Sequence, residues 1–415
     1  MRREHAAAGS SRRLVVLAPI EPSPTGNGLA MRAELFRRSA PANVEVRVVV
    51  VPVAGHSLAP ALPGTAIVAP DPLRARAGAL ALATDSAWRD RLARVGSLPP
   101  AARAASPGLA DAVIEAIPPG GGPVALHAMR AYMAPLAVAV AERLEAAWAT
   151  LDLDEDDAGF ARSAGDPETA DDYERLLDVF GPLFDGLAAS SAAEASGIGE
   201  RHGLVVDHLP NAVPIAAQPP RPPRETTGDD VPSLLFVGNL TYGPNIEAAD
   251  LLAGAIAPAV RRRLGRRVRV VLVGPHDGRL DRLRGPDVEV TGFVPDLEPF
   301  YAAADAVVVP LRSGAGTRIK LLEAFSHGVP AVASTIAAAG LEVSDGRQLL
   351  LADSTEQAAA AIGSVLTDHQ LAARLAGEAT ALVRERYSID VVVPAIRDFF
   401  NRAAARADRD GPATG

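Results

Sequence analysis

The chain has 415 residues, enough for two domains of ordinary size. Hydrophobic residues make up 48% of it and charged residues 22%, which is the balance of a globular protein. The net charge of −9 argues against a nucleic-acid partner, because nothing overall attracts a polyanion. The absence of cysteine excludes disulfides, a thiolate nucleophile and Cys-ligated zinc. No apolar run is long enough for a membrane span or a secretory signal, which predicts a cytoplasmic location.

Short apolar runs alternate with longer amphipathic stretches along the whole chain, a pattern typical of βαβ units and parallel sheets. In the N-terminal half, strands are predicted at 14–18, 44–53, 65–68, 123–126, 149–153 and 204–209. In the C-terminal half, they are predicted at 233–237, 268–273, 288–290, 306–309, 331–334 and 349–351. The best-marked helices are 245–257, 317–327, 356–366, 371–387 and 389–406. The expected fold is α/β, with two Rossmann-like, doubly wound domains facing each other across a cleft.

Residues 217–230 are rich in proline and charge and have no apolar period, which predicts a semi-rigid interdomain linker. The expected division is therefore an N-terminal domain at 1–216, a linker at 217–231 and a C-terminal domain at 232–388. A helix and a polar tail at 389–415 are expected to pack back on the N-terminal domain. In folds of this kind, ligands bind at the carboxyl ends of the strands.

The segment after the predicted strand 306–309 has the features of an anion site. Gly314 and Gly316 allow a tight turn and a close approach of the backbone to a ligand. Thr317 is a suitable N-cap for the helix that follows, and Gly328 ends that helix. A helix N-terminus preceded by glycines favours a phosphate, because unpaired N–H groups and the helix dipole both attract negative charge.

Two cations stand in the first turn of this helix, where the dipole disfavours them. They are Arg318 and Lys320, and Lys320 is the only lysine among 41 basic residues. A lysine kept in a chain that otherwise uses arginine suggests a site that needs a compact ammonium. The alternative is a pair of solvated surface cations. The preceding glycines favour an anion that offsets the two charges.

Glu323 lies about 9 Å along the helix axis from Thr317, at 1.5 Å per residue. This distance is of the order of the span from a diphosphate to the ribose of its nucleoside. Carboxylates accept hydrogen bonds from ribose hydroxyls in dinucleotide-binding folds. The order of glycines, cations and carboxylate therefore predicts a site for a nucleoside diphosphate.

Residues 233–400 resemble the C-terminal domain of retaining GT-B glycosyltransferases of family 4. The motifs that carry the resemblance are Leu-Leu-Phe-Val-Gly238-Asn239-Leu, Val-Leu-Val-Gly274-Pro, Val-Thr-Gly292-Phe293-Val294-Pro-Asp296, Tyr301-Ala-Ala-Ala-Asp305, Gly-Thr-Arg318-Ile-Lys320-Leu-Leu-Glu323-Ala and Gly-Val-Pro-Ala-Val-Ala-Ser334. The resemblance implies that 232–388 binds the nucleotide-sugar donor and that 1–216 is the acceptor side.

The resemblance also implies roles for individual residues. The basic pair would contact the donor diphosphate, Glu323 would bind ribose, and the loop at Gly238 and Asn239 would approach the phosphates. The base would lie at the turn that contains Gly292, Phe293 and Val294. No metal ion and no cofactor besides the donor substrate is implied.

Two departures from the family pattern concern the donor. The first glutamate of the common E-x7-E pair falls on Ala315, so a familiar sugar contact is missing. The loop after Gly238 also lacks the basic residue that is common there. More of the phosphate charge is therefore expected to fall on Arg318 and Lys320.

On the acceptor side, Gly26 and Gly28 follow the first strand and open a helix, a pattern that a purely structural turn would also explain. His127 is placed at the end of a predicted strand, followed closely by Arg130. The resemblance implies that a histidine here lies near the reacting sugar, whereas the alternative is a buried histidine with satisfied hydrogen bonds.

Two charged runs have open interpretations. The acidic run at 152–157 contains an Asp-x-Asp pair that could bind a divalent metal, but we expect a solvated loop that faces the acceptor. The basic run at 261–267 is expected to be a solvated helix end, with weak peripheral contact to anionic lipid as the alternative.

The sequence thus predicts a glycosyltransferase that moves a sugar from a nucleoside diphosphate to an acceptor hydroxyl with retention of configuration and without a metal. The acceptor would be a saccharide, a lipid-linked molecule or a small molecule. Three alternatives stay open: an inverting GT-B transferase, a nucleotide-sugar epimerase and a non-catalytic protein that binds nucleotide sugars.

Overall fold

The computed structural model describes residues 12–53, 64–216, 231–313 and 319–410. They form two compact units, one containing the chain up to Leu209 together with the segment from Val393 onward, the other containing Pro210–Val392.

The first unit is built on seven parallel strands. The strands are β1 Arg12–Ala18, β2 Val44–Val50, β3 Thr65–Ile67, β4 Val124–Met129, β5 Ala149–Asp154, β6 Gly186–Ala189 and β7 Val206–His208. Their order in the sheet is β3-β2-β1-β4-β5-β6-β7. Strand β6 was not predicted, and β4 extends three residues beyond the predicted 123–126.

Nine helices of the described residues connect these strands. They are α1 Gly28–Arg38, α2 Pro72–Leu82, α3 Ser86–Val95, α4 Pro100–Ala104, α5 Ala110–Glu115, α6 Ala134–Leu144, α7 Asp157–Ser163, α8 Pro167–Phe180 and α9 Ala192–His202. The central strands β1 and β4 are almost completely buried, because helices cover a parallel sheet on its faces.

The second unit has a six-stranded parallel sheet. Its strands are β8 Ser233–Val237, β9 Arg269–Val273, β10 Val288–Val290, β11 Ala306–Val309, β12 Ala331–Ala333 and β13 Leu350–Leu351. Its helices are α10 Gly243–Leu251, α11 Ala257–Leu264, α12 Glu298–Ala303, α13 Ile319–Ser326, α14 Thr335–Ala338, α15 Thr355–Thr367 and α16 His369–Leu382. A π-helical segment, Leu252–Ile256, joins α10 to α11.

The strand order of the second sheet is β10-β9-β8-β11-β12-β13, so the direction of winding reverses between β8 and β11. In open parallel sheets, ligands bind beside the carboxyl ends of the strands at this reversal. The residue after β8 is Gly238, and α13 follows β11 along the chain. The fold therefore places Gly238 and the described start of α13 at the edge where a ligand is expected.

The last helix, α17 Ile389–Asp410, ends the described chain. Its residues from Val393 onward belong to the first unit, where Phe399, Phe400 and Ala403 are buried. The two parallel-sheet units confirm the predicted α/β fold class. None of the helices within the described ranges has the length and apolar character that a bilayer crossing requires.

Candidate active site

Two glycines bring the ends of β8 and β9 into close contact. Gly274 has φ 141°, and a Cβ atom added there would lie 1.8 Å from the carbonyl oxygen of Gly238. A Cβ added at Gly238 would in turn lie 3.0 Å from Nζ of Lys320. The structure therefore brings Gly238 and Lys320, both predicted from the sequence as donor-binding residues, next to each other at one sheet edge.

Lys320 lies in the first turn of α13, with its ammonium group held at the end of β8. Its Nζ donates a hydrogen bond of 2.7 Å to Oδ1 of Asn245 and lies 4.6 Å from the ring centre of Phe236. Both contacts favour a compact cation at one position. The Lys320 side chain is only partly buried, so a ligand at this edge can reach the charge.

Asn245 is a site residue that the sequence analysis missed. Its side chain is buried, accepts from Lys320 and donates from Nδ2 to the carbonyl oxygen of Asn239 at 2.9 Å. It therefore joins the loop after β8 to the ammonium of α13. The signal in the sequence was the polar residue in the first turn of the helix that follows Gly238 and Asn239.

Glu323 lies one helical turn after Lys320, on the same face of α13. Its Oε2 accepts a hydrogen bond of 2.9 Å from the Tyr301 hydroxyl. Burial raises the pKa of the Glu323 carboxyl, while the Tyr301 hydrogen bond and the charge of Lys320 oppose that rise. Helix α13 thus presents an ammonium and a carboxylate at the same sheet edge.

The turn after β10 completes this edge. Gly292 has φ 84°, and its carbonyl oxygen accepts from Gly274 N at 3.1 Å. Phe293 is 71% exposed, while Val294 is partly buried. An exposed aromatic ring beside strand ends offers a face on which a nucleobase can stack.

Four predicted donor residues lie outside the residues that the structure describes: Gly314, Gly316, Thr317 and Arg318. The same holds for Ala315, which replaces the first family glutamate. Their predicted roles therefore stay predictions.

In the first unit, Gly26 and Gly28 flank a capped helix start. Gly26 has φ 94°, and Asn27 caps α1 by accepting from Leu29 N at 2.9 Å. Such a turn has a structural reason for its glycines. Gly26 and Gly28 are both exposed, so an acceptor molecule can reach them. Their predicted role on the acceptor side stays a prediction.

The acidic run at 152–157 is not the solvated loop that the sequence suggested. Asp152 is fully buried and forms a bidentate ion pair with Arg32, with both distances 2.6 Å. Asp157 is buried as well and is bound to Arg130. The expectation was wrong because the sequence did not show that two arginines neutralise these carboxylates inside the unit.

Arg130, predicted on the acceptor side, is engaged by Asp157, by Glu155 at 2.5 Å and by Asp154 at 3.4 Å. Its backbone has φ 76°, which is unusual for a residue with a side chain. The residue is only 9% exposed. The structure thus uses Arg130 to hold the acidic run against the end of β4.

His127 lies inside β4 rather than at its end, because the strand continues to Met129. Its ring is fully buried, stacks on Phe36 at 4.1 Å between centroids and meets the edge of Phe400. Its Nδ1 lies 2.9 Å from Oγ1 of Thr150. The structure buries His127, and among the described residues its Nε2 has no hydrogen-bond partner, so the ring is not the fully satisfied one of the alternative. Its predicted role near the reacting sugar stays a prediction.

Burial, together with the nearby charge of Arg32, lowers the pKa of His127 to about 3. The unfolded chain binds this proton near pH 6.5, so stability is complete above that pH and falls as the pH drops toward 3. Between pH 7 and pH 5 the loss is about 2 kcal/mol. We expect His127→Phe, which keeps an aromatic ring, to lose this part of the pH dependence.

Urea unfolding at pH 5 and pH 7 tests this expectation. Both tryptophans, Trp88 and Trp148, lie in the first unit, so their fluorescence follows that unit alone. Wild type and variant should differ in the pH dependence of the unfolding free energy. Equal dependence in the two proteins would contradict the neutral, buried state of His127.

Residues 231–368 match the family described as Glycosyl transferases group 1. An exopolysaccharide phosphotransferase of Streptomyces coelicolor is 28% identical over 239 residues, which is 55% of this chain and 24% of that protein. D-inositol 3-phosphate glycosyltransferase of Nocardia farcinica is 32% identical over 168 residues, 36% of each chain. Both matches span well under half of the relative's own length.

The fold has a clear counterpart among solved structures. The crystal structure of Anabaena HepE in complex with UDP and glucose covers 94% of this chain and 99% of that one, with a TM-score of 0.64 and 15% identity. The chain has the GT-B fold, and its second unit contains the region that matches the group 1 glycosyl transferases.

Proposed function

We propose that this protein is a glycosyltransferase that moves a sugar from a nucleoside diphosphate to an acceptor hydroxyl. The observation that carries this proposal is the Lys320 ammonium, held by Asn245 at the end of β8 beside the Gly238 backbone. Glu323 lies one turn away on the same helix face. Two comparisons support the same function: residues 231–368 match the family of group 1 glycosyl transferases, and one similar protein is the D-inositol 3-phosphate glycosyltransferase of Nocardia farcinica.

The chemistry follows from where charge develops. When the bond between the sugar C1 and the phosphate oxygen breaks, negative charge grows on the departing diphosphate. A cation already in place at that oxygen stabilises the transition state more than the ground state. Lys320 supplies such a cation, and the sequence assigns Arg318 and the helix start at Gly314, Gly316 and Thr317 to the same anion.

We propose that transfer occurs with retention of configuration and without a metal ion. In this route the acceptor hydroxyl enters on the face from which the diphosphate leaves. Retention rests on the resemblance to family 4, and metal independence on that resemblance and on the positive charge at Lys320 and Arg318. The acceptor, a saccharide, a lipid-linked molecule or a small molecule, would bind the first unit near Gly26 and Gly28.

A donor panel tests the proposal. UDP-, GDP- and ADP-sugars are incubated with a broad set of acceptors, with and without EDTA, and the product anomer is read by NMR. We expect release of a nucleoside diphosphate, a retained anomer and no effect of EDTA. An inverted anomer would overturn retention, and an epimerised free donor would overturn transfer. Nucleotide binding without turnover across the whole panel would favour a non-catalytic binding protein.

A second candidate comes from the relative in Streptomyces coelicolor that is named an exopolysaccharide phosphotransferase. Moving a sugar phosphate from the same donor would break the bond between the two phosphates and release a nucleoside monophosphate. Glycosyl transfer breaks the bond to the sugar and releases the diphosphate. The identity of the released nucleotide therefore separates the two functions in one assay.

A further inference from the structure

One of the two carboxylate oxygens of Glu323 already accepts a hydrogen bond within the protein. Tyr301, from α12, donates its hydroxyl hydrogen to Oε2 of Glu323 at 2.9 Å. Within the described part of the chain, no side chain or backbone group donates to the other oxygen, Oε1. An ionised carboxylate is an acceptor only, so Oε1 can still take a hydrogen bond from a hydroxyl group.

The Tyr301 ring has little freedom to turn. It is 1% exposed and stacks on the ring of His327 at 4.5 Å between centroids, with an interplanar angle of 15°. His327 is itself fixed, since its Nδ1 lies 2.8 Å from the backbone oxygen of Glu323 and its Nε2 lies 3.2 Å from Oε2 of Glu298. The direction of the Tyr301 hydroxyl is therefore set by α12 and α13 together.

We propose that Tyr301, with its ring held by His327, is a positioning residue that fixes Oε2 of Glu323 and directs Oε1 to a ribose hydroxyl of the donor. The site then selects ribonucleotides over their deoxy forms. This inference rests on the proposed function, because it requires a nucleotide on α13.

The energetic reason is the cost of removing a hydrogen-bond donor from a partly buried carboxylate. Without the Tyr301 hydroxyl, the Glu323 carboxylate would have one hydrogen-bond donor fewer. The orientation of the carboxylate would then no longer be fixed. A ribose hydroxyl would then meet a carboxylate that is less often ionised and less often correctly turned. Lys320, which contacts Asn245 and not Tyr301, would keep its position toward the phosphates.

The experiment measures binding of UDP, GDP and ADP, each with its 2′-deoxy and 3′-deoxy forms, by calorimetry. For the nucleotide that binds, wild type should prefer the ribo form over at least one deoxy form by about 10- to 100-fold, the range for a hydrogen bond to a charged group. In Tyr301→Phe this preference should fall to about 3-fold or less. Affinity for inorganic pyrophosphate, which has no ribose, should be unchanged.

Tyr387→Phe is the matched control. Tyr387 is another 1% exposed tyrosine of the second unit, and its hydroxyl accepts from the backbone N of Glu342 at 3.0 Å. Its loss should leave the ribose preference intact. Glu323→Gln should lose the preference as Tyr301→Phe does, and His327→Leu should weaken it without removing any hydroxyl.

The outcomes separate the two proposals. A Tyr301→Phe protein that folds and keeps the wild-type preference would overturn the positioning role while nucleotide binding stands. Wild type that binds ribo and deoxy forms equally would do the same. Wild type that binds none of the nucleotides would remove the proposed function and this inference with it. If Tyr301→Phe does not fold, His327→Leu decides, since an unchanged preference there also overturns the role.

A pH profile distinguishes positioning from a structural role. The Tyr301 hydrogen bond keeps the pKa of Glu323 lower than burial alone would. Loss of the hydroxyl should therefore move the acidic limb of ribonucleotide affinity to higher pH in Tyr301→Phe and leave it in place in Tyr387→Phe. In steady-state kinetics, KM for the donor should rise more than kcat falls, as expected for lost ground-state binding.

Discussion

Replacing Lys320 with alanine is expected to lower kcat/KM for sugar transfer by about 100- to 1000-fold, the effect of losing one donor to a developing oxyanion. The fold should survive, because the Lys320 side chain is only partly buried and contributes to a site at the surface of the unit rather than to its core; the change removes its hydrogen bond to Asn245 and its contact with the Phe236 ring. Affinity for UDP or GDP should fall along with the rate. Calorimetry and thermal shift with the free nucleotides measure the binding part separately.

Two further variants sharpen the test. Arg262→Ala removes the same charge from an exposed position on α11 and should leave donor binding unchanged. Lys320→Arg keeps the charge but enlarges the head group where a Cβ at Gly238 would already lie 3.0 Å from Nζ. It should restore only part of the activity. Nucleotide stabilisation of Lys320→Ala equal to that of wild type would exclude the phosphate role.

The second unit could be predicted closely from the sequence because its strands are short runs of valine and leucine between turns. Strands β8, β10 and β11 begin and end where the apolar pattern placed them. Short runs of three to five residues rich in β-branched and aliphatic side chains are unlike amphipathic helices, so their boundaries are visible.

Strand β6 was missed for the opposite reason. Its sequence, Gly-Leu-Ala-Ala, has no β-branched residue and starts with a glycine. The strand forms because tertiary packing favours it: all four residues are buried, and they pair with β5 on one side and β7 on the other. Propensity within the segment gives no sign of these neighbours.

The sequence predicts those residues of the donor site that lie together in one segment of the chain. Lys320 and Glu323 lie within one predicted helix, so both could be assigned to the donor from their positions along that helix. Their partners could not be found in this way, because Asn245 is 75 residues from Lys320 and Tyr301 is 22 residues from Glu323. Such contacts are set by the order of strands in the sheet.

The same limit explains the error over the acidic run. Asp152 and its neighbours looked like surface charges, since a run of carboxylates is usually solvated. Their counter-charges are distant in the sequence: Arg32 is 120 residues from Asp152 and Arg130 is 27 residues from Asp157. The sequence contains both arginines but not their contacts with the carboxylates.

Replacing Arg32 with methionine is expected to destabilise the first unit by about 3–5 kcal/mol, the cost of leaving one charge of a buried pair without its partner. Arg32 and Asp152 both have 0% exposed side chains, and Asp154 lies 3.5 Å from the same guanidinium. The guanidinium also donates to the backbone oxygen of Leu209 at 3.0 Å. Leu209 is the last residue of the first unit before the chain enters the second. Tryptophan fluorescence in urea, which follows Trp88 and Trp148, should show a midpoint lower by about 1–2 M.

The double variant Arg32→Met/Asp152→Leu should recover much of this loss, because it replaces both charges with apolar groups instead of leaving one buried alone. Removing half of an exposed pair of the same unit provides the control: Glu115→Ala, which leaves Arg74 at the surface of the first unit, should cost less than about 1 kcal/mol. Equal stability of Arg32→Met and Glu115→Ala would show that the buried pair does not hold the end of β5. A double variant no more stable than Arg32→Met would show that Asp154, rather than Asp152, carries the cost.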